Sequence, residues 1–253
     1  MNDPMPIGGD SNSLFLRSLF NTPHFVLPAR AAEIYHFLAG RFGAPEALNA
    51  PDFQQSAFVG SRRREDGSIS AVRATAGVGI IPIVGTLVNR GGWLDANSGM
   101  VSYEGIEYQL SKAGEDDNLH TVVLDISSPG GEAAGMQRVA KSVRELRSKK
   151  RVIAYVNDMA ASAGYAIASQ ADEIVVSETS LVGSIGVVML HVDRSESLRA
   201  AGVAPTFIYA GDHKVDGNNL EPLTKEVHAE LQASVDKMYD IFLQTVSAGR
   251  NSR

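Results

Sequence analysis

From Ala76 onward the sequence contains short runs of strand length that are apolar at consecutive positions. Successive side chains of a strand point to opposite faces, so runs of this kind are typical of strands that are buried on both faces. The runs cover residues 79–88, 121–126, 151–156, 173–176, 185–192 and 206–209.

Helical patterns lie between and after these runs. Residues 131–149 and 223–246 place apolar side chains three and four positions apart, which is the spacing of one helix face. Strands that alternate with helices form parallel sheets with helices packed against them. The sequence therefore predicts an α/β fold with a mostly parallel sheet flanked by helices.

The first part of the chain follows a different pattern. Residues 30–42 carry apolar side chains at helical spacing, and a stretch rich in Ala, Pro, Gln, Ser and Arg follows. We predict an N-terminal extension over residues 1–75, with one helix and a linker, and one α/β domain over residues 76–253.

Composition excludes several classes of function. The net charge is −6, from 23 basic and 29 acidic residues, so there is no basic field to attract nucleic acid or anionic lipid. Cysteine is absent, which removes disulfides, thiol nucleophiles and cysteine-bound metals. The apolar stretches are too short to span a bilayer core of ~30 Å as helices, and the first residues lack the basic start of a secretory signal. We expect a cytoplasmic protein without a membrane span.

Two glycines follow the run 121–126, in the sequence Ser128-Pro129-Gly130-Gly131. Glycines let the backbone turn sharply, and amides at a helix start point outward with the positive end of the helix dipole. The Gly130 and Gly131 amides are therefore candidates to hold a developing oxyanion. A plain strand-to-helix turn is the alternative.

Ser162 lies among small residues at a predicted helix start, after the run 151–156. Small neighbours leave room around its hydroxyl for a substrate, which makes Ser162 a candidate nucleophile. An N-cap or a small packing residue is the commoner role for such a serine.

A serine nucleophile needs a base within hydrogen-bond reach. Lys214, in the loop before the last predicted helix, is one candidate. A lysine amine is a base only when neutral, and lowering a lysine pKa from ~10.4 to near 7 costs roughly 4–5 kcal/mol. Burial can supply such a shift, but nearby carboxylates oppose it, so Asp212 and Asp216 must point elsewhere. A solvated loop lysine is the alternative.

Two further features bear on this base. Ser184, in a small-residue turn at 183–187, is placed to orient Lys214 by a hydrogen bond or to act only as a turn residue. The chain has six histidines, and none lies in a distinctive motif. Only His191 and His213 are plausible as the base of a Ser-His-Asp triad.

In this order the motifs resemble the S49 peptidase family, which includes bacterial signal peptide peptidase A and the head-maturation proteases of tailed phages. The matching segments are Ser-Pro-Gly-Gly at 128–131, Ala-Ser-Ala-Gly-Tyr at 161–165, Gly-Ser-Ile-Gly-Val at 183–187 and Gly-Asp-His-Lys at 211–214. The resemblance implies a crotonase/ClpP-like fold, Ser162 as nucleophile, Lys214 as general base and oxyanion amides at Gly130 and Gly131. It also implies a homo-oligomer that acts on polypeptides and needs no metal or other cofactor.

Within the family, two segments look like the phage branch: Asn-Thr-Pro at 21–23 with the helix that follows, and residues 213–223. The resemblance then implies cleavage of scaffold and capsid proteins in assembling procapsids, in the host cytoplasm. Family members generally continue beyond the last helix, so we expect a domain shortened at its C-terminus.

Four other functions fit a chain of this kind. They are a bacterial protease like signal peptide peptidase, a ClpP-like triad peptidase, an acyl-CoA hydratase or carboxyltransferase, and a non-catalytic capsid-assembly module. The acyl-CoA enzymes use similar oxyanion amides but do not need Ser162 or Lys214, and fold alone does not decide between these functions.

Overall fold

The computed structural model describes residues 24–26, 73–90 and 99–250. The helix predicted over residues 30–42 lies outside these ranges, and the domain boundary at residue 75 stays a prediction. The strands are β1 (His24–Val26), β2 (Arg73–Thr75), β3 (Val78–Val84), β4 (Thr86–Val88), β5 (Met100–Ser102), β6 (Thr121–Ser128), β7 (Gly130–Glu132), β8 (Arg151–Ala161), β9 (Glu173–Val176) and β10 (Leu181–Gly183). The helices are α1 (Tyr103–Glu115), α2 (Met136–Arg147), α3 (Ala163–Ala168), α4 (Ser195–Ala200) and α5 (Lys225–Arg250).

The larger sheet has the strand order β10-β8-β6-β3-β2, with β9 beside the first half of β8. All of its pairings are parallel except that of β2 with β3. Long-range parallel pairing of β3, β6 and β8 brings three carboxyl ends to one edge of the sheet, where turns can carry functional residues.

A smaller sheet has the order β1-β7-β4-β5, in which β1 pairs antiparallel with β7. The chain passes from β3 directly to β4, and from β6 directly to β7 and then α2. The long strands β3 and β6 are thus each followed by a short strand of the smaller sheet, whereas β8 leads into α3. The predicted α/β fold with a mostly parallel sheet flanked by helices is confirmed, and its crotonase/ClpP-like type stays a prediction.

The core lies between one face of the larger sheet and the helices α1, α2 and α3. The apolar stripe predicted for α2 is buried, and its residues are Met136, Val139, Ala140, Val143 and Leu146. Burial alternates along β6, so only every second side chain enters this core. On the opposite face Ile80 and Tyr155 are exposed, so the expectation that these strands are buried on both faces is wrong for the described residues.

Two predicted strands are absent from the described part of the chain. Residues 185–192 and 206–209 form no strand, and the structure has only the three-residue strand β10 and the short helix α4 nearby. The side chain of Ile208 is 99% exposed. Apolar runs form strands only where a neighbouring strand accepts a continuous series of their hydrogen bonds. Residues 185–192 have only isolated bridges at Val188 and Leu190, although Val187 packs against the core, and residues 206–209 have none.

The end of α5 is fixed to α3 through Gln170, which is fully buried. The Gln170 side-chain amide donates to the carbonyls of Ala166 (2.8 Å) and Thr245 (3.0 Å), and its oxygen accepts a hydrogen bond from Arg144. A buried amide with both ends paired orders its neighbours, so the C-terminal half of α5 holds the helix that follows Ser162. None of the described helices is long and apolar enough to cross a membrane.

Candidate active site

Ser162 lies between β8 and α3, at the N-cap position of the helix, as the sequence predicted. Its backbone has φ 55° and ψ −119°, a combination that costs a non-glycine residue of order 1–3 kcal/mol. The Ser162 amide donates to the Gly183 carbonyl at 2.7 Å, and its carbonyl accepts from Ala166 at 2.9 Å. Hydrogen bonds on both sides therefore hold a strained strand-to-helix turn, a geometry that the nucleophilic serines of α/β-hydrolases adopt.

The Ser162 hydroxyl is fully buried and has no hydrogen-bond partner among the described residues. It does not cap α3, which removes the main structural role considered for it. An unpaired buried hydroxyl costs about 1–3 kcal/mol. The serine thus destabilises the fold twice, through its backbone and through its side chain, and such sites are commonly functional.

The glycine turn lies beside Ser162. Ser128 is opposite Ala160 in the β6–β8 pairing. A Cβ on Gly164, two residues after Ser162, would lie 3.3 Å from the Ser128 Cβ. The predicted oxyanion segment and the predicted nucleophile are therefore neighbours in space.

The local structure of this turn differs from the prediction. Gly130 and Gly131 belong to β7 and not to a helix start, because α2 begins only at Met136. The Gly130 amide donates to the Ser128 hydroxyl at 3.2 Å, and Gly131 is paired with Leu87 in the smaller sheet. The helix dipole therefore does not act on these amides, and their oxyanion role stays a prediction.

Lys214 lies in an exposed turn over residues 211–217. Its backbone amide donates to the Gly211 carbonyl at 3.2 Å, and its side chain forms no ion pair within the described residues. Asp216 bonds instead to His213, at 2.8 Å. This hydrogen bond, with the negative charges of Asp216 and Glu230, raises the pKa of His213.

In the single chain the Ser162 hydroxyl forms no hydrogen bond with Lys214, because it has no hydrogen-bond partner among the described residues. For the same reason no described histidine forms a hydrogen bond with this hydroxyl, so the alternative triad is not formed either. Ser184 follows β10 with φ 54° and is exposed, and no described hydrogen bond links it to Lys214. The catalytic pair and the supporting role of Ser184 stay predictions.

Sequence reasoning missed two groups at this site. The Gly183 carbonyl fixes the Ser162 amide, and the Ser128 hydroxyl contacts both Gly130 and Gly85. The Ser128 hydroxyl had a signal in the sequence, because a serine in a turn often accepts a hydrogen bond from the backbone amide two residues further on. Contacts between distant strands, such as that with Gly183, leave no such local signal.

Three side chains of the types that bind cations lie close together next to Lys214. Donor atoms of His213, Asp216 and Glu230 all lie within 4.8 Å of one another, and all three residues are exposed. Exposed groups of this composition are common without an ion. No step of the chemistry considered below requires one.

A strained, buried serine at a strand-to-helix turn of an α/β fold is a geometry that one class of enzymes, the serine hydrolases, uses for its nucleophile. Comparison with known families narrows this class. Residues 144–253 match the model of peptidase family S49. The chain thus carries a domain that matches peptidase family S49, the family that the sequence motifs resemble.

Two curated phage proteins are similar to more of the chain than the family model covers. The head-tail preconnector protein GP5 of Enterobacteria phage P21 is 37% identical over 93% of this chain and 48% of its own length. The capsid assembly protease C of Escherichia phage lambda is 36% identical over 90% of this chain and 54% of its own length. The chain thus spans about half the length of these relatives.

More distant likenesses lie outside phages. Protease 4 of Haemophilus influenzae is 32% identical over 56% of this chain and 23% of its own length. Among solved structures, an enoyl-CoA hydratase from Mycobacterium avium subsp. paratuberculosis K-10 is 19% identical, with a TM-score of 0.33, over 71% of this chain and 79% of its own. A likeness at that TM-score carries no conclusion about activity.

Proposed function

We propose that this protein is a serine endopeptidase that uses Ser162 as nucleophile and Lys214 as general base to cleave scaffold and capsid proteins during phage procapsid maturation. The observation that carries the proposal is the Ser162 hydroxyl, which is buried, unpaired and held in a strained turn beside a glycine-rich segment. The phage relatives named above support the choice of substrates.

The chemistry follows from these roles. A neutral Lys214 amine takes the Ser162 proton as Oγ bonds to the carbonyl carbon of the substrate. The Gly130 and Gly131 amides stabilise the oxyanion. The lysine then donates its proton to the departing amine, which breaks the peptide bond and leaves an acyl-serine. Water that loses a proton to the same amine hydrolyses the ester and restores the serine.

The edge of the larger sheet offers a place for the substrate chain. β10 is the last strand on its side, and Leu181 and Val182 are exposed. Its Gly183 carbonyl accepts from the Ser162 amide on the side that faces β8, so the opposite edge of β10, which is unpaired among the described strands, lies one strand away from the nucleophile. An extended polypeptide can add to such an edge through backbone hydrogen bonds, which favours endopeptidase action on unfolded segments.

The proposal requires Lys214 to leave water and reach Ser162, and we propose that self-association does this. Large apolar side chains are exposed close to Lys214 in sequence: Val203, Ile208 and Tyr209. Clustered exposed apolar residues mark interaction surfaces. A second copy of the chain packed against these side chains would exclude water from the surroundings of Lys214, which favours the neutral form of its amine.

An Ile208→Asp variant tests this assembly. Because Ile208 is 99% exposed in the single chain, an aspartate there should leave the fold intact but introduce a charge into the buried contact. We expect light scattering after gel filtration to show an oligomer for the wild type and a monomer without cleavage activity for the variant. Gln137→Asp, at an exposed position of α2, is the control for added charge. A monomeric wild type that cleaves its substrate would contradict the proposal.

Lys214→Ala tests the base against the histidine alternative. Removal of a general base costs typically 10²–10⁴ in rate, so we expect cleavage of co-expressed capsid and scaffold proteins to fall by about that factor. His191→Ala and His213→Ala should remain within about threefold of wild type in the same assay. An active Lys214→Ala protein together with an inactive histidine variant would establish a triad instead.

The place of action follows from the substrates: assembling procapsids in the host cytoplasm. The likeness to Protease 4 of Haemophilus influenzae supports one other function, that of a bacterial protease. The family resemblance of the sequence makes this a protease of the signal-peptide-peptidase kind. Cleavage of a signal peptide in vitro, with capsid and scaffold proteins left intact, would support that alternative. A folded wild-type protein that leaves both the signal peptide and the capsid and scaffold proteins uncleaved would support a non-catalytic assembly module.

A further inference from the structure

Ser128 makes a set of contacts that the proposed mechanism does not yet use. It is the last residue of β6 and is fully buried. Its hydroxyl donates to the Gly85 carbonyl at 2.7 Å and accepts from the Gly130 amide at 3.2 Å. One side chain therefore links the end of β3 to the glycine turn.

Gly85, whose carbonyl accepts the hydrogen bond from Ser128, is itself held in place. Gly85 has φ 104° and donates its amide to the Ser127 carbonyl at 2.9 Å. The two segments are thus joined by two reciprocal hydrogen bonds, beyond those of the β3–β6 ladder. Ser128 has little freedom to rotate, because its hydroxyl proton is committed to the Gly85 carbonyl.

Ser128 also contacts the helix of the nucleophile. A Cβ on Gly164 would lie 3.2 Å from the Ser128 carbonyl oxygen and 3.6 Å from its hydroxyl oxygen. Contacts of 3.0–3.4 Å are closer than most real Cβ contacts, so the close approach of α3 to Ser128 depends on glycine at this position. The hydroxyl of Ser128 consequently lies between the Gly130 amide and the first turn of α3.

We propose that Ser128 is a positioning residue that aims the Gly130 amide at the oxyanion formed on attack by Ser162. This inference rests on the proposed peptidase function. Gly130 has φ 100° and no side chain, so its peptide would otherwise rotate easily. The 3.2 Å bond to Ser128 is long, and a charged oxyanion is a stronger acceptor than a neutral hydroxyl. The amide can therefore turn to the oxyanion while the Ser128–Gly85 bond keeps the turn in place.

Ser128→Ala tests the inference, with Ser127→Ala as a matched control. Ser127 is the neighbouring serine, and its hydroxyl bonds to the Asp158 side chain at 2.9 Å on the exposed side. The substrate is a peptide that spans a cleavage site mapped with the wild-type protein. We expect Ser128→Ala to lower kcat by about 10–100-fold with KM within about threefold, because a misplaced Gly130 amide weakens stabilisation of the oxyanion in the transition state and leaves substrate binding nearly unchanged. Ser127→Ala should stay near wild type.

A second readout separates positioning from a merely structural role. A boronic acid analogue of the same peptide forms a tetrahedral adduct with a nucleophilic serine and so reports on the oxyanion amides. Its affinity should fall in Ser128→Ala by the same factor as kcat/KM, while substrate KM changes little. Ser128→Cys keeps the shape of the side chain with a slightly larger atom and weakens its hydrogen bonds, so it should show a smaller loss of the same kind even if the alanine variant folds poorly.

The outcomes are distinct. Equal kcat values for Ser128→Ala and Ser127→Ala, measured well below both melting temperatures, would overturn the inference and leave the peptidase function standing. A lower melting temperature for Ser128→Ala with unchanged kcat and unchanged boronate affinity would also overturn it. A folded wild type that cleaves no polypeptide and binds no boronate would remove the proposed function itself.

Discussion

Ser162→Ala should abolish cleavage of capsid and scaffold proteins while the protein stays folded. Removal of a nucleophilic serine lowers kcat by about 10⁶-fold in a well-studied serine peptidase, so no product should be detectable. The protein should not lose stability, because the hydroxyl that disappears is buried and has no partner. Relief of an unpaired buried hydroxyl is worth about 1–3 kcal/mol, which raises the melting temperature by a few degrees.

The two readouts together distinguish a nucleophile from a structural serine. Gel analysis of co-expressed capsid proteins measures cleavage, and calorimetry measures the melting temperature. Ser169→Ala is a matched control, because Ser169 is also fully buried but its hydroxyl donates to the Ala166 carbonyl at 2.8 Å. That variant should retain activity and lose stability. A cleaving Ser162→Ala protein, or one that unfolds, would show that Ser162 is structural.

Gly131→Ala should prevent stable folding. A Cβ at this position would overlap the backbone oxygen and carbon of Leu87 in the neighbouring strand, and backbone atoms cannot move aside without breaking the smaller sheet. Changes of this kind fall in the exceptional class of about 4 kcal/mol or more, which is a large fraction of the stability of a typical domain. We expect insoluble protein, or a denaturation midpoint far below that of wild type.

Gly186→Ala is the control for this substitution. An added Cβ there would meet no atom within 4 Å, and its φ lies outside the left-handed range. Its stability should therefore match that of wild type in chemical denaturation. A soluble Gly131→Ala protein with wild-type stability would show that β7 does not approach β4 as described.

The sequence predicted those parts of the fold whose signal is local. The buried stripe of α2 and the strands β6 and β9 follow directly from apolar spacing, and the turn at Ser162 follows from small residues between a strand and a helix. Residues 185–192 and 206–209 carry the same apolar signal but form no strand, since a strand also needs a partner at the right distance. Apolar content alone does not reveal whether that partner exists.

The candidate site likewise has some features with a local signal in the sequence and others that depend on distant parts of the chain. The family resemblance implied oxyanion amides next to Ser162, and the glycine turn does lie beside it, because Ser128 pairs with Ala160 after a register shift in the β6–β8 ladder. The sequence did not show that the Gly130 amide is held by Ser128, nor that Lys214 lies in an exposed turn of the single chain. Both depend on how segments far apart in the chain, or separate copies of the chain, come together.

The pairing of Ser162 with Lys214 is tested most directly by the distance between Ser162 Oγ and Lys214 Nζ in an experimental structure of the assembled protein. We predict about 2.6–3.2 Å, with the amine shielded from water and the Asp212 and Asp216 carboxylates turned away from it. A Lys214 side chain that remains in solvent in an assembly that cleaves its substrate would contradict the proposed mechanism.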